Sequence, residues 1–174
     1  LTSKIRKLSK NNRFPILIDE EGKNVSRLQD LISHNFSANF FGQLFTKDKN
    51  FCIKLYKQYI HSLSKNLKNI GINVNTIPVL DVLRKNTNSI IGKRSFSKNE
   101  KIVKILGSLT IKFLHSKKII GIIKHIPGHG AATSDSHKKT PKISLSLKKL
   151  NKIDFYPFKY SKAKLAMTAH ILYS

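Results

Sequence analysis

Residues 119–130 have the sequence IIGIIKHIPGHG, an apolar run followed by a basic loop rich in glycine. The apolar run is typical of a buried strand. The loop after it contains two histidines, and Asp135 and His137 follow a few residues later. A buried strand that ends in titratable side chains is how α/β enzymes present catalytic acids and bases. The Asp-x-His spacing also lets the carboxylate fix the tautomer of the imidazole and raise its basicity.

Strands and helices alternate on both sides of this stretch. The hydrophobic pattern predicts strands at residues 14–19, 72–80, 119–124 and 165–170, and helices at residues 48–69, 98–116 and 145–160, the last made irregular by Pro157. Alternation of this kind predicts a parallel sheet covered by helices. Four strands are half of a (β/α)₈ barrel, which typically needs about 250 residues. We therefore predict an α/β fold in which residues 1–174 are a fragment of a single catalytic TIM barrel domain, truncated at both ends. A four-stranded open sheet is the alternative.

Composition excludes several classes of protein. The length of 174 residues suits one domain or part of a larger one. No apolar run approaches the roughly 18 residues that span a bilayer, so we expect no membrane partner. The single cysteine, Cys52, excludes an internal disulfide and indicates a reducing compartment. Its position on a predicted helix indicates a small core residue.

The chain is strongly basic, with 33 Lys and Arg residues against 9 Asp and Glu residues and a net charge of +24. The basic residues are nearly all lysine and are spread along the whole sequence, which indicates a solvated surface rather than a nucleic-acid site. We expect attraction to polyanions to be nonspecific and sensitive to salt, with no specific nucleic-acid partner.

The few acidic residues are more informative than the many basic ones. Five of the nine follow predicted strands: Asp19, Glu20, Glu21, Asp81 and Asp135. Active sites of barrels and doubly wound sheets lie at the same place, beyond the carboxyl ends of the strands. We interpret Glu20 and Glu21 as turn residues, solvated or bonded to the local backbone. Asp81 is interpreted as a hydrogen-bond acceptor behind the site.

Five segments carry motifs that can be compared with a known family. They are residues 18–27 (IDEEGKNVSR), 75–82 (NTIPVLDV), 91–96 (IGKRSF), 124–137 (KHIPGHGAATSDSH) and 166–173 (AMTAHILY). Together these segments resemble the bacterial β-N-acetylhexosaminidases of glycoside hydrolase family 3, over nearly the whole chain. The Asp-Ser-His end of the fourth motif separates this branch from the β-glucosidase branch of the family.

The resemblance implies retaining hydrolysis of a terminal β-linked N-acetylglucosamine through a covalent glycosyl-enzyme. It assigns the role of general acid and base to His137, with Asp135 orienting and polarising the imidazole. An imidazole titrates near neutrality, so one group can protonate the leaving oxygen and later deprotonate water. The family's sugar-binding positions fall on Asp19, Arg27, Arg94, Lys124 and His125.

The resemblance also implies the partners of the protein. The expected ligand is a saccharide that contains N-acetylglucosamine, from peptidoglycan turnover in the cytoplasm, and no metal or organic cofactor is expected. A zinc set of His125, His129, Asp135 and His137 is an alternative, but its spacing matches no common zinc motif. We interpret His129 as a loop-shaping residue. The oligomeric state is not indicated.

Departures from the family pattern set further expectations. Lys23 and Asn24 replace a glycine and an arginine after the acidic turn. The family nucleophile is an aspartate after a later strand, so we expect a polypeptide of residues 1–174 to lack it and to be inactive alone. A β-glucosidase-like member of the family and a noncatalytic basic binding protein are two further functions that the sequence leaves open. Gly128 and Gly130 indicate a mobile loop that closes over the sugar.

Overall fold

The computed structural model describes residues 1–30, 36–135 and 140–174. Its strands are Leu17–Ile18 (β1), Val74–Asn75 (β2), Ile120–Ile126 (β3), Lys142–Ile143 (β4), Leu165–Thr168 (β5) and Leu172–Tyr173 (β6). The central sheet has the order β1, β2, β3, β5, and every neighbouring pair in it is parallel. The predicted strand order and parallel pairing are therefore confirmed. This is the arrangement of half of a (β/α)₈ barrel.

In the parts of the chain that the structure describes, six α-helices accompany the strands: Thr2–Leu8 (α1), Ala38–Lys47 (α2), Lys49–Asn69 (α3), Glu100–Ser116 (α4), Leu147–Lys152 (α5) and Tyr156–Lys159 (α6). The predicted helices at residues 48–69 and 98–116 correspond to α3 and α4 within two residues. The predicted helix at residues 145–160 is two short helices, α5 and α6. Pro157 lies in the first turn of α6, where its missing N–H breaks no helical hydrogen bond.

Helix α2 is an element that the sequence pattern did not predict. It begins after Ser37, whose hydroxyl oxygen accepts a hydrogen bond of 3.2 Å from the backbone N–H of Phe40. It ends at Asp48, which in turn caps α3 by accepting from the backbone N–H of Phe51. Asp48, the first residue of the predicted helix at residues 48–69, therefore lies between two helices, α2 and α3.

The core lies between the sheet and helices α2, α3 and α4. Its largest buried side chains include Phe41, Ile60, Leu63, Leu106 and Leu114. Burying a side chain of this size stabilises a fold by about 1.5–3 kcal/mol. Cys52 is fully buried in this core, as predicted, and donates a weak hydrogen bond to the backbone carbonyl of Phe41.

The parallel sheet brings three connecting segments to one edge. Residues 19–21 follow β1, residues 76–81 follow β2, and β3 ends at Ile126 in the glycine-rich loop. Because the carboxyl ends of parallel strands face the same way, the polar residues of these segments lie together. A second sheet, β4 paired in parallel with β6, lies beyond the glycine-rich loop and was not predicted. In the described parts of the chain, no helix has the length and apolar character to cross a membrane.

Candidate active site

Lys124 is the centre of the polar cluster at the carboxyl ends of the strands. Its side chain is only 3% exposed. Its Nζ lies 2.9 Å from Oδ1 of Asp19 and 2.6 Å from Oε1 of Glu21, and it donates a 2.8 Å hydrogen bond to Oγ1 of Thr76. The hydroxyl of Thr76 donates in turn to Asp19. A buried ammonium group is tolerated only when paired in this way.

Arg94 approaches the same cluster from the connection between β2 and α4. It ends the short 3₁₀ turn Gly92–Arg94, where it forms two parallel hydrogen bonds with Glu21. Nε donates to Oε2 over 2.8 Å, and Nη2 donates to Oε1 over 2.9 Å. Burial alone would lower the pKa of Arg94, but the carboxylate of Glu21 outweighs burial and raises the pKa. The guanidinium is therefore fixed in place as a cation.

Glu21 is the residue that sequence reasoning missed. Its side chain is 6% exposed and joins Lys124 to Arg94, so the interpretation as a solvated turn residue is wrong. For Glu20 only the other half of the interpretation, bonding to the local backbone, is right: its side chain is fully buried, and its Oε2 accepts from the backbone N–H groups of Arg27 and Leu28. Two adjacent glutamates give no sequence signal that distinguishes them. Only the direction of the chain after β1 decides which carboxylate faces the site.

Asp81 holds the two histidines of the glycine-rich loop. Its Oδ2 lies 2.7 Å from Nδ1 of His125, and its Oδ1 accepts a 2.7 Å hydrogen bond from the backbone N–H of His129. The carboxyl group is fully buried. Burial alone would raise the pKa of Asp81, but the hydrogen bonds from the two histidines outweigh burial and lower the pKa. The residue therefore lies behind the site and supports His125.

The hydrogen bond to Asp81 sets the tautomer of His125. An ionised carboxylate can only accept, so Nδ1 of His125 carries the proton and Nε2 is left for other partners. Nε2 lies 3.5 Å from Nη2 of Arg94. The ring of His129 is adjacent to that of His125, and burial lowers the pKa of His129. His129 is therefore a neutral imidazole at pH 7, in line with a loop-shaping role.

Asp19 is the most accessible carboxylate of the cluster, with a side chain that is 39% exposed. Burial would raise the pKa of Asp19, but hydrogen bonds from Thr76 and Lys124 outweigh it and lower the pKa. The charge of Arg27 also lowers this pKa. Asp19 thus presents an ionised acceptor to the open side of the site.

Two glycines of the loop are closely packed against neighbouring segments. A Cβ on Gly130 would lie 1.8 Å from the backbone oxygen of Val82, and Gly128 packs against Asp154 with φ of +142°. The backbone carbonyl of Gly128 accepts a 2.6 Å hydrogen bond from the hydroxyl of Tyr173. The base of the loop is therefore held by close contacts at Gly128 and Gly130, and closure of the loop over a sugar stays a prediction.

Through Glu21, the structure thus brings four of the seven predicted site residues into one network: Asp19, Arg94, Lys124 and His125. Arg27 is exposed, and its charge lowers the pKa of Asp19. Asp135 lies half-buried on the loop. His137, the predicted acid and base, lies outside the described residues. Within the described residues, no group of three His, Cys, Asp or Glu side chains could hold a metal ion.

This network suits a ligand rich in hydroxyl groups. It combines cationic donors with ionised carboxylate acceptors, which form charge-assisted hydrogen bonds to polar groups. Counting Arg27, Arg94 and Lys124 against Asp19, Glu21 and Asp81, the charges balance when His125 is neutral. Such a site favours an uncharged polar ligand over an ion.

Comparison with known proteins gives consistent matches. The family model described as the glycosyl hydrolase family 3 N-terminal domain matches residues 1–174. A protein named β-hexosaminidase A from Pseudoalteromonas piscicida is 35% identical, with the alignment covering 91% of this chain and 27% of that protein. A protein named β-hexosaminidase from Neisseria meningitidis is 32% identical, over 99% of this chain and 48% of that protein.

Solved structures match equally well. NagZ from Neisseria gonorrhoeae in complex with N-trifluoroacetyl-D-glucosamine superposes with a TM-score of 0.90 at 31% identity. The superposition covers 99% of this chain and 52% of that chain. The chain therefore spans about half the length of the Neisseria proteins.

Proposed function

Because the chain belongs to glycoside hydrolase family 3, matching its N-terminal domain over residues 1–174, we propose that it forms part of a retaining exo-glycosidase. The proposed reaction releases terminal β-linked N-acetylglucosamine. The relatives named β-hexosaminidase and the NagZ complex with an N-acyl glucosamine support this substrate class. The chain spans about half of the Neisseria relatives, so the activity is proposed for the whole domain.

One observation carries the proposal more than any other. Asp19 and Arg94 come from the connections after β1 and β2, and Lys124 and His125 come from strand β3, yet with Glu21 they form a single bonded network at the carboxyl ends of the strands. Sugars offer hydroxyls and an amide, and their orientation depends on charge-assisted hydrogen bonds from such groups. We propose that these residues, with Arg27, bind the N-acetylglucosamine ring.

For the chemistry we propose His137 as the general acid and base, with Asp135 orienting its ring. Their spacing in the sequence supports this assignment, since a carboxylate two residues before an imidazole can hold its second nitrogen. A covalent glycosyl-enzyme requires a carboxylate nucleophile as well. No acidic residue follows β5 in residues 169–174. We therefore propose that residues 1–174 bind the sugar without cleaving the glycosidic bond.

The biological substrate that we propose is a peptidoglycan fragment with a terminal N-acetylglucosamine, handled in the cytoplasm. The single cysteine supports a reducing compartment. The alternative substrate is a β-glucoside, which lacks the acetamido group. No metal or organic cofactor has a role in the proposed reaction.

Titration with N-acetylglucosamine and with glucose tests the substrate class. We expect side-chain and amide NMR signals of Lys124 and His125 to shift with N-acetylglucosamine at lower concentrations than with glucose. His125→Gln should weaken sugar binding, and His61→Gln, at a half-buried position of α3 that packs against Phe113, is the matched control. Preference for glucose would favour the β-glucosidase alternative, and absence of binding to either sugar would refute the proposal.

An activity measurement tests the division of roles. A polypeptide of residues 1–174 should release no nitrophenol from 4-nitrophenyl N-acetyl-β-D-glucosaminide. The full-length domain of the Neisseria meningitidis relative serves as the positive control. Turnover by the pure 174-residue polypeptide would show that the nucleophile lies within it.

A further inference from the structure

Two cations of the site converge on a single carboxylate oxygen. Oε1 of Glu21 lies 2.6 Å from Nζ of Lys124 and accepts a 2.9 Å hydrogen bond from Nη2 of Arg94. All three side chains are 12% exposed or less. The two cations are therefore close neighbours in a site with little access to water, where like charges repel strongly.

A neutral ligand cannot relieve that repulsion. A pocket that presents a buried lysine and a buried arginine is, by charge, a site for a carboxylate or a phosphate. A sugar without charged groups would have to displace such an anion or leave the cations unpaired. A site for a neutral sugar therefore needs a counter-ion that belongs to the protein.

We propose that Glu21 is a positioning and specificity-determining residue. Its carboxylate takes the place of the anion that Lys124 and Arg94 would otherwise bind, and it holds both cations at the spacing that a neutral sugar requires. The sugar-binding half of this inference rests on the proposed function, whereas the counter-ion half rests on the contacts of Glu21 alone.

Neither neighbouring carboxylate can take over this role. Asp19 contacts Lys124 but makes no hydrogen bond to Arg94 in the described residues, and its exposure leaves it available to a ligand. Glu20 uses Oε2 for the turn after β1, where Ser26 also donates to it over 3.0 Å. Glu21 is the carboxylate that joins both cations.

The test is the Glu21→Gln variant, which keeps the shape of the side chain and removes its charge. Titration with inorganic phosphate, followed by the Nε–H signal of Arg94, should show at least about tenfold tighter binding at this site than in the wild type. Titration with N-acetylglucosamine should show at least about tenfold weaker binding. A role in stability alone would not convert a sugar site into a phosphate site.

The matched control is Asp154→Asn, which removes the charge from another buried carboxylate that pairs with an arginine, Arg84. It should lower the melting temperature without changing phosphate binding at Arg94. Unchanged phosphate affinity in Glu21→Gln would overturn the proposal. If wild type binds no N-acetylglucosamine, the proposed function fails, and the phosphate titration still decides whether Glu21 is the counter-ion.

A double variant covers the case in which Glu21→Gln does not fold. Glu21→Gln combined with Arg94→Gln removes one charge of each sign, so we expect it to fold and to bind phosphate no better than wild type. If only the double variant folds, the unfolding of Glu21→Gln is due to the positive charge that lost its partner, and this outcome supports the proposal. If neither variant folds, or if the double variant binds phosphate as tightly as Glu21→Gln does, the role of Glu21 is structural and the proposal is overturned.

Discussion

Asp81 shows how a buried carboxylate can organise a site from behind. It makes no contact with the open side of the cluster, yet it bonds to the ring of His125 and to the backbone of His129. Its hydrogen bonds outweigh the cost of burial, since the pKa of Asp81 lies below its ordinary value. The folded state therefore stabilises the ionised form of the Asp81 carboxyl group.

We expect Asp81→Asn to lower the free energy of unfolding at pH 7 by about 2–3 kcal/mol, because an amide places a donor against the N–H groups of the histidines. The folded pKa is depressed, so the stabilisation is present above the ordinary pKa of 3.8 and is lost as pH falls through the folded pKa. Urea unfolding of both proteins between pH 7 and pH 2 measures this. The difference between them should be constant above pH 4 and shrink below it; a constant difference down to pH 2 would contradict the prediction.

At the scale of elements, the glycine-rich loop is held by contacts from two other parts of the fold. Thr87 donates a 2.6 Å hydrogen bond to the carbonyl of Gly130, and Asn88 donates its backbone N–H to Ala132. The hydroxyl of Tyr173 in β6 donates to Gly128. The loop after β3 is thus held by the loop after β2 and by the second sheet.

Gly130→Ala tests the packing of this loop against the segment after β2. The new Cβ would lie 1.8 Å from the oxygen of Val82, so the backbone must shift. We expect a loss of about 1–3 kcal/mol or more in the free energy of unfolding, and weaker sugar binding through displacement of His129. Ala131→Ser, at the next and partly exposed position, is the control and should change neither measurement. Wild-type stability in Gly130→Ala would show that the loop moves freely.

Tyr173→Phe tests the contact with the second sheet. Burial raises the pKa of Tyr173, so its hydroxyl remains a donor at neutral and mildly alkaline pH. Loss of the hydrogen bond to Gly128 should cost about 1 kcal/mol by thermal or urea unfolding. Tyr160→Phe, at a half-exposed tyrosine, is the control. Equal stability of the two variants would mean that the loop does not depend on this hydroxyl.

Periodicity was enough to predict the elements that pack on a single apolar face. The helix at residues 98–116 and the strand at residues 119–124 repeat their apolar residues over several turns or positions, so the pattern determines them. Helix α2 was missed because ten residues around two adjacent phenylalanines give too short a repeat. The pairing of β4 with β6 was also missed, since two-residue strands carry no pattern and arise from tertiary contacts.

The same distinction between local sequence pattern and tertiary contact applies to the residues of the candidate site. Residues at the ends of predicted strands, such as Asp19 and Lys124, lie in one cluster, and their role in binding a sugar stays a prediction. Glu21 was not, because its role depends on which side of the chain faces Arg94, a residue 73 positions away. Long-range contacts of this kind have no local signal in a single sequence.

At the scale of the whole molecule, four of the nine acidic side chains are buried, whereas most of the 33 basic residues are exposed, with Lys124 and Arg94 among the exceptions. The side chains of Glu20, Glu21, Asp81 and Asp154 are at most 6% exposed, and they account for four of the nine acids. Burying these carboxylates leaves the exterior even more basic than the net charge of +24 indicates. The excess positive charge therefore lies on the surface, whereas the cationic and anionic side chains of the candidate site are equal in number.

This separation predicts two independent kinds of binding. The surface should bind DNA duplexes of different sequence with equal affinity, and that affinity should fall by more than about tenfold between 50 and 200 mM salt, because each neutralised phosphate releases counter-ions. Sugar binding should not change over the same range, since the pairs around Lys124 are buried and poorly screened. Fluorescence anisotropy with two unrelated duplexes, and sugar titrations at both salt concentrations, measure the two affinities. A duplex preference that persists at 200 mM salt, together with absent sugar binding, would instead favour the noncatalytic nucleic-acid-binding alternative.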